Sequence, residues 1–343
     1  MSYHSPEVID LKVDIENLER FCNEILYKIG LDREDREIVT DYLITVERLG
    51  ISSHGVIRLV YYYRALKDGY LNPKPRIRIL NEDSATVLID GDHGLGQVIA
   101  AKATRMAIEK AKRGSIGFGN AINLGHVGAL SYYTLMAVRE GFVSVAITNA
   151  PAVMAPLGGK RAFLGTNPVS LGIPFKDGEH FLFDGSMSAA SRGKIMLAMQ
   201  RGEKIPENWA LNERGEPTTD PAEAIKGALL PDGVRGYAIA LFIDLFCGSV
   251  LGGKFGYELP SNFASQGGFS ILVINPRFFR PYEEHLRSFE KYVERLRSHE
   301  NAKLPGEIEF SKFKESIRSV EIDEAIISKL NELARELGCD LRL

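Results

Sequence analysis

Two histidines and one arginine are the residues of this sequence best suited to move a proton and hold an anion. In Ser52-Ser53-His54-Gly55-Val56-Ile57-Arg58 the imidazole and the guanidinium lie four apart. With Ser53 as the N-cap of a helix, His54 and Arg58 share one face of its first turns. An imidazole there feels the positive end of the helix dipole, which favours its neutral form and lowers its pKa. Arg58 presents a planar fork that binds a carboxylate through two hydrogen bonds. The pair reads as a carbonyl acid beside a carboxylate clamp, although an exposed histidine and arginine on a surface helix would show the same spacing. His126, in Asn123-Leu124-Gly125-His126-Val127-Gly128, falls between a strand and a helix, where α/β proteins place functional loops. Taken alone it reads as a hydrogen-bonded loop histidine.

Glycine is in excess, 33 of 343 residues, roughly a tenth where about 7% is usual. Gly91-Asp92-His93-Gly94-Leu95-Gly96 follows a strand and precedes a helix, but its order is G-x-x-G-x-G. A Rossmann loop needs G-x-G-x-x-G, so a tight structural turn is expected instead. Pro156-Leu157-Gly158-Gly159-Lys160 and Gly165-Thr166-Asn167-Pro168 are turns crowded with backbone donors, able to cradle a ligand or merely to reverse the chain. No Walker A loop, HExxH, nucleophile elbow or acidic cluster occurs, so neither a metal site nor a serine hydrolase is expected.

The elements that must position these residues begin with helices. Ile15, Leu18, Phe21, Cys22, Ile25 and Leu26 repeat at helical spacing behind an Asp14 cap and stop at Gly30. A second helix runs from about Asp32 to Leu49, with Gly50 as its left-handed cap, and a third starts at Ser52 or Ser53 and carries Val56, Leu59, Val60, Tyr63 and Leu66. From about residue 84 the period alternates. Thr86–Asp90, Ser144–Thr148, Val169–Pro174, Phe181–Asp184 and Phe269–Asn275 predict strands, and Gln97–Arg113 and Leu130–Glu140 predict helices. After Pro281 helices return, the last one capped by Asp323 and stopped at Gly338. This predicts an α/β domain over residues 81–280, with residues 1–80 and 281–343 packing together as a helical domain.

Composition bounds the partners. With 45% hydrophobic and 25% charged residues and a formal charge of −3, the chain reads as globular, of about two domains, with no pull toward nucleic acid or anionic lipid. Cys22, Cys247 and Cys339 form no CxxC pair, which fits reduced thiols in a cytoplasm. Met1–Lys12 lacks the basic flank and apolar run of a signal peptide. Tyr237–Val250 is the most apolar stretch, but it contains Asp244 and falls short of the roughly 18 to 20 residues of a membrane helix. It predicts a buried core helix or strand.

Taken together these motifs resemble the type-2 malate/L-lactate dehydrogenases, a family that also includes ureidoglycolate and sulfolactate dehydrogenases, diketogulonate reductase and piperideine-2-carboxylate reductase. The likeness runs through Ser53-His54-Gly55 with Arg58, Ile89-Asp90-Gly91-Asp92, Gly94-Leu95-Gly96-Gln97, His126 with Gly128 and Tyr132-Tyr133, and Thr148-Asn149. It continues through Ala155-Pro156, Gly158-Gly159, Gly165 to Pro168, Asp184, Gly193-Lys194, Ile205-Pro206 with Trp209, Pro217-Thr218, Gly236-Tyr237 and Pro305-Gly306-Glu307. Each motif is weak alone; their shared order is specific.

The resemblance implies an NAD- or NADP-dependent oxidoreductase. Its cofactor domain would be a non-Rossmann, mixed and largely antiparallel sheet, and it would form a homodimer whose second subunit helps close the active site. By position, His54 would be the proton donor to the substrate carbonyl, with Ser53 and Arg58 beside it and His126 as its rival. Arg58 would hold the carboxylate. The cofactor would lie along Asn149, Gly165, Thr166, Asn167, Pro168, Asp184, Gly185, Ser186, Arg235, Gly306 and Glu307. The sequence departs from the family where Gly125 and Val127 flank His126, which predicts altered walls of the substrate pocket. It departs again at Gly185-Ser186-Met187-Ser188 after Asp184, and at Arg235 where lysine is common. The expected reaction is hydride transfer with a small 2-oxo acid, oxaloacetate or pyruvate first. A bulkier keto acid, a ureido acid, sulfolactate, diketogulonate or a cyclic imine, or a nucleotide-binding protein without turnover, are the alternatives.

Overall fold

The computed structural model describes residues 10–176, 178–260 and 266–343; residues 1–9, which hold most of the stretch read for a leader, lie outside them. In chain order the first elements are β1 (Asp10–Asp14), α1 (Ile15–Lys28), α2 (Arg33–Arg48), α3 (Arg58–Lys67), β2 (Arg78–Glu82), β3 (Thr86–Gly94), α4 (Gly96–Arg113), β4 (Ile116–Leu124), α5 (Ser131–Arg139) and β5 (Val143–Thr148). There follow β6 (Val169–Ile173), β7 (Phe181–Gly185), α6 (Arg192–Arg201), β8 (Ala210–Leu211), α7 (Pro221–Lys226), β9 (Ala228–Leu229) and α8 (Gly233–Leu245). The chain ends with β10 (Gln266–Ile274), α9 (Tyr282–Arg297), α10 (Glu307–Glu315), β11 (Ser319–Asp323) and α11 (Glu324–Glu336).

The main sheet has seven strands in the order β2-β3-β4-β10-β5-β6-β7. β3 and β4 are parallel and the remaining neighbours antiparallel. This is the mixed, largely antiparallel sheet expected in place of a Rossmann fold. β4 is the strand expected before His126, and Gly117 and Gly119 occupy its face toward α4. A Cβ at Gly117 would fall on the Ala107 carbonyl oxygen and one at Gly119 on that of Ala103. The buried side of α4 is rich in alanine, Ala100, Ala103, Ala107 and Ala111 among them, so helix and strand meet almost backbone to backbone.

The ends of the chain meet through β1, which pairs antiparallel with β11 from Asp10 opposite Asp323 to Asp14 opposite Ser319. Asp14 accepts from Asn17 N–H and Asp323 from Ala325 N–H, so each strand runs straight into a capped helix. One apolar core joins α1, α2, α4, α5, α11 and the central strands. The other C-terminal helices go elsewhere. Val293 of α9 packs with Phe175 and Leu304, and Phe310 of α10 with Leu49, Leu135 and Leu182.

Two expectations are corrected here. The third helix starts at Arg58, not at Ser52 or Ser53, because Ser52–His54 is a separate 3-10 turn ending at Gly55. Tyr237–Val250 is helical but not a buried core helix. Val234, Ile239, Phe242, Leu245 and Val250 are exposed along α8 and its π-helical continuation Phe246–Val250. Nor does it fall short in length: Gly233–Val250 is, among the described residues, the one helical stretch long and apolar enough to cross a membrane by length and composition, and 33% of it is buried. Its inner side is anchored by Asp244, which accepts from Asn149 Nδ2 (2.8 Å) and Gly256 N–H (2.9 Å).

Gly117→Val drives a branched side chain into the α4 backbone and is expected to cost about 3 kcal/mol of stability. Urea unfolding reads this as a lower midpoint at unchanged slope; an unchanged midpoint would contradict the backbone contact between α4 and β4.

Candidate active site

The fold brings both histidines together. The His54 and His126 rings stack with centroids 5.7 Å apart and planes 19° from parallel. Ser53 caps no helix. Its hydroxyl pairs with His54 Nδ1 at 2.9 Å, and Arg58 folds back so that its Nε donates to the Ser53 carbonyl at 2.7 Å. The predicted cause of a neutral His54 therefore changes while the consequence stands. Burial, and then the Arg58 cation, push the His54 pKa down to about 4. Burial, Arg58 and His54 together hold His126 well below the usual histidine range. Two stacked imidazoles beside a guanidinium are thus both neutral near pH 7, each able to accept a proton once a ligand anion offsets Arg58.

Buried polar side chains from the helices hold the two loops in place. Gln97, at the start of α4, donates through Nε2 to the His126 carbonyl (2.9 Å) and to the Tyr62 hydroxyl (2.5 Å). Tyr133 donates to the Val127 carbonyl at 2.6 Å. Tyr42 of α2 spans both loops, accepting from Ala129 N–H at 2.7 Å and donating to the His54 carbonyl at 3.3 Å. Gly96, the last glycine of the failed fingerprint, lies where a Cβ would fall on the Gly125 and His126 carbonyl oxygens. That loop backs the histidine instead of holding a phosphate. Of the departures around His126, Val127 is in the main core, and Gly125 is buried with its N–H on the Gly94 carbonyl. A fully buried tyrosine or glutamine on an otherwise apolar helical stripe is the signal that would have found these supports.

The residues expected along a cofactor form one connected strip following β7. The Leu182 N–H donates to the Pro305 carbonyl, beside which Gly306 packs on Leu182. The Asp184 carboxylate, its pKa raised by burial, accepts from Ser131 N–H at 2.7 Å, five residues beyond His126. Past Gly185 and Ser186, the Met187 N–H bonds the Thr166 carbonyl and its own carbonyl accepts from Asp232 N–H, next to the first turn of α8, where Arg235 is exposed. Asn149 and Asn167 spend their amides on the framework. Asn149 donates to Asp244 and to the Lys254 carbonyl and accepts from Gly268 N–H; Asn167 donates to the Ala240 carbonyl and accepts from Ala150 N–H. Their neighbours Gly165 and Pro168 complete the same turn. Glu307 accepts from Arg297 at 2.9 Å and lines a cavity of about 230 Å³ with Glu179, His180 and Lys314. Among the described residues no three His, Cys, Asp or Glu side chains gather as a metal ion would require.

The donor set decides what the site can do. Imidazole and guanidinium transfer protons and bind anions, but neither takes an electron pair from carbon, and the three cysteines are free and buried. A redox reaction here needs a diffusible two-electron carrier.

Comparison with known proteins bears on the same point. Residues 13–331 match the malate/L-lactate dehydrogenase family profile. L-sulfolactate dehydrogenase of Methanocaldococcus jannaschii is 38% identical over 337 residues, covering 95% of this chain and 97% of that protein. The solved structure of sulfolactate dehydrogenase from the same organism superimposes with a TM-score of 0.90 at 35% identity, covering 96% of this chain and 98% of that one. (2R)-3-sulfolactate dehydrogenase (NADP(+)) of Chromohalobacter salexigens is 32% identical, covering 94% and 98%, and ureidoglycolate dehydrogenase (NAD(+)) of Escherichia coli is 31% identical, covering 80% and 79%.

In the free protein, an NMR titration of the His54 ring should give a pKa near 4. In Arg58→Met it should move up toward the usual histidine range, since the neighbouring cation is gone. An unmoved value would remove Arg58 as a cause.

Proposed function

Because this chain belongs to the malate/L-lactate dehydrogenase family, NAD(P)-dependent enzymes acting on CH–OH donors, we propose that it interconverts a small 2-hydroxy acid and its 2-oxo acid with His54 as acid/base and Arg58 as the carboxylate clamp. The observation that carries this reading is the stacked, neutral His54–His126 pair beside Arg58. Malate or L-lactate is the first substrate proposed, and sulfolactate the alternative favoured by the 38% identical relative.

Arg58 binds the substrate carboxylate through two parallel N–H donors. That anion offsets the cation which, together with burial, holds His54 neutral, so the imidazole gains proton affinity when substrate is bound. In the oxidation direction the neutral ring accepts the hydroxyl proton; in reduction it returns that proton to the carbonyl oxygen. With His126 stacked on it, a second positive charge is opposed, so the pair carries one proton at a time. The nicotinamide supplies or takes up the hydride when bound. Gly165, Thr166, Pro168, Asp184 to Ser186, Gly306 and Glu307 would hold it, with Asn149 and Asn167 bracing the backbone behind them, and Arg235 would meet a phosphate with a charge-assisted hydrogen bond. A homodimer belongs to the same proposal, supported by the exposed apolar side chains Ile239, Phe242 and Leu245 on α8. So does residence in a reducing cytoplasm, supported by three free, buried thiols.

Removing a general acid or base costs roughly 10²- to 10⁴-fold, so His54→Gln should lower kcat by that order with each accepted substrate. If His126→Gln has that effect and His54→Gln has none, the roles are exchanged. Arg58→Lys should raise KM for the carboxylate substrate; unchanged KM and kcat would end its role as clamp. A panel of malate, lactate, sulfolactate, ureidoglycolate and cyclic imines with each nicotinamide cofactor, followed by nicotinamide absorbance, selects the substrate, and no turnover of any 2-hydroxy or 2-oxo acid would overturn the reading.

A further inference from the structure

Glu47 lies on the inner face of α2 near its C-terminal end and is 5% exposed. Among the described residues no ion pair compensates its burial. Its Oε1 accepts from Val56 N–H at 2.8 Å, and its carboxylate also accepts a hydrogen bond from the Ser52 side chain. Gly55 passes so close that a Cβ there would fall on the carboxylate. The segment from Ser52 to Val56 is therefore wound around one buried acid, with His54 at its middle.

A buried acid without a cation is expensive. Burial pushes its pKa up to about 7, and an apolar residue of similar volume would pack there at lower cost. What an apolar residue could not do is accept hydrogen bonds from both sides of His54. His54 is also tied by the Ser53 hydroxyl on its ring, by Tyr42 on its carbonyl and by its own N–H on the Ile51 carbonyl. None of these fixes the backbone on both flanks. Glu47 reaches no ring atom of either histidine by a hydrogen bond, so its action on the reaction runs through the turn.

We propose that Glu47 is a positioning residue for proton transfer, fixing the His54 turn by accepting hydrogen bonds from Ser52 before it and Val56 after it. This rests on His54 being the acid/base. A displacement of about 1 Å at a reacting group costs on the order of 10²-fold in rate, and that sets the expected size of the effect.

The test compares Glu47→Leu, Glu47→Gln and Ser52→Ala in the full chain, each with and without His54→Gln. Leu keeps the volume and removes both acceptors: kcat should fall about 10²-fold with KM for the 2-oxo acid nearly unchanged. Gln retains an acceptor for Val56 and a partner for Ser52, so it should stay within about threefold of wild type. Ser52→Ala, which removes one tie without opening the core, should lower kcat about tenfold and gives the answer if the Leu variant does not fold. In the His54→Gln background these changes should add almost nothing, as expected for residues acting through one group. A folded Leu variant with wild-type kcat, a Gln variant as impaired as Leu, or full additivity with His54→Gln would each overturn the proposal. If His54→Gln alone leaves kcat unchanged, it is the acid/base reading that fails.

Discussion

Two imidazole rings stacked 5.7 Å apart next to a guanidinium impose the constraint on which the site is built: near neutral pH both rings are held uncharged in the free protein. Protonating one places a second cation beside Arg58, and protonating both places three within a few ångströms, in a setting where burial already disfavours charge. The structure accommodates this by holding the two loops with neutral or hydrogen-bond-accepting partners. Tyr42, Tyr133 and Gln97 are uncharged, and each is buried with its polar end on a loop backbone. The carboxylate near the His126 loop, Asp184, is turned onto the first N–H of α5, where the helix N-terminus favours its charge.

The support converges on α2. Its buried face carries Tyr42, which touches both loops, and one turn later Glu47, which holds the flanks of the His54 turn. α2 is itself fixed by the core that joins α1, α4, α5 and α11, and α11 is reached through the pairing of β1 with β11. The positions of His54 and His126 thus depend on contacts between the two ends of the chain.

Much of this was legible in the sequence, and what was not has physical reasons. The amphipathic helices α1, α2 and α11 were readable with their caps, since apolar spacing and Asp14 or Asp323 act locally. The candidate site residues His54 and Arg58 stood out because they are chemically distinctive. The turn that holds them was misplaced, because a serine before an apolar period signals a helix start, whereas the chain waits until Arg58. β4 was legible only as a strand before His126, its bounds obscured by the glycines its packing on α4 demands, and β1 and β11 are short strands whose partner lies about 300 residues away. Tyr42 and Glu47 were invisible for opposite reasons. A tyrosine on an apolar stripe reads as core, and a glutamate reads as solvated, until tertiary structure supplies the backbone groups they serve.

The same constraint explains how binding and chemistry are joined. Arg58 depresses the proton affinity of both rings in the free protein and is also the group suited to receive a substrate carboxylate. A ligand without a carboxylate leaves the guanidinium uncompensated, and the imidazole remains a weak base. A ligand that pairs with Arg58 removes that opposition and raises the proton affinity of the ring in the same event. On the proposed reading, selectivity for an acid does not require a separate recognition step: the charge proposed to capture the substrate also adds to the burial that keeps both rings neutral without it.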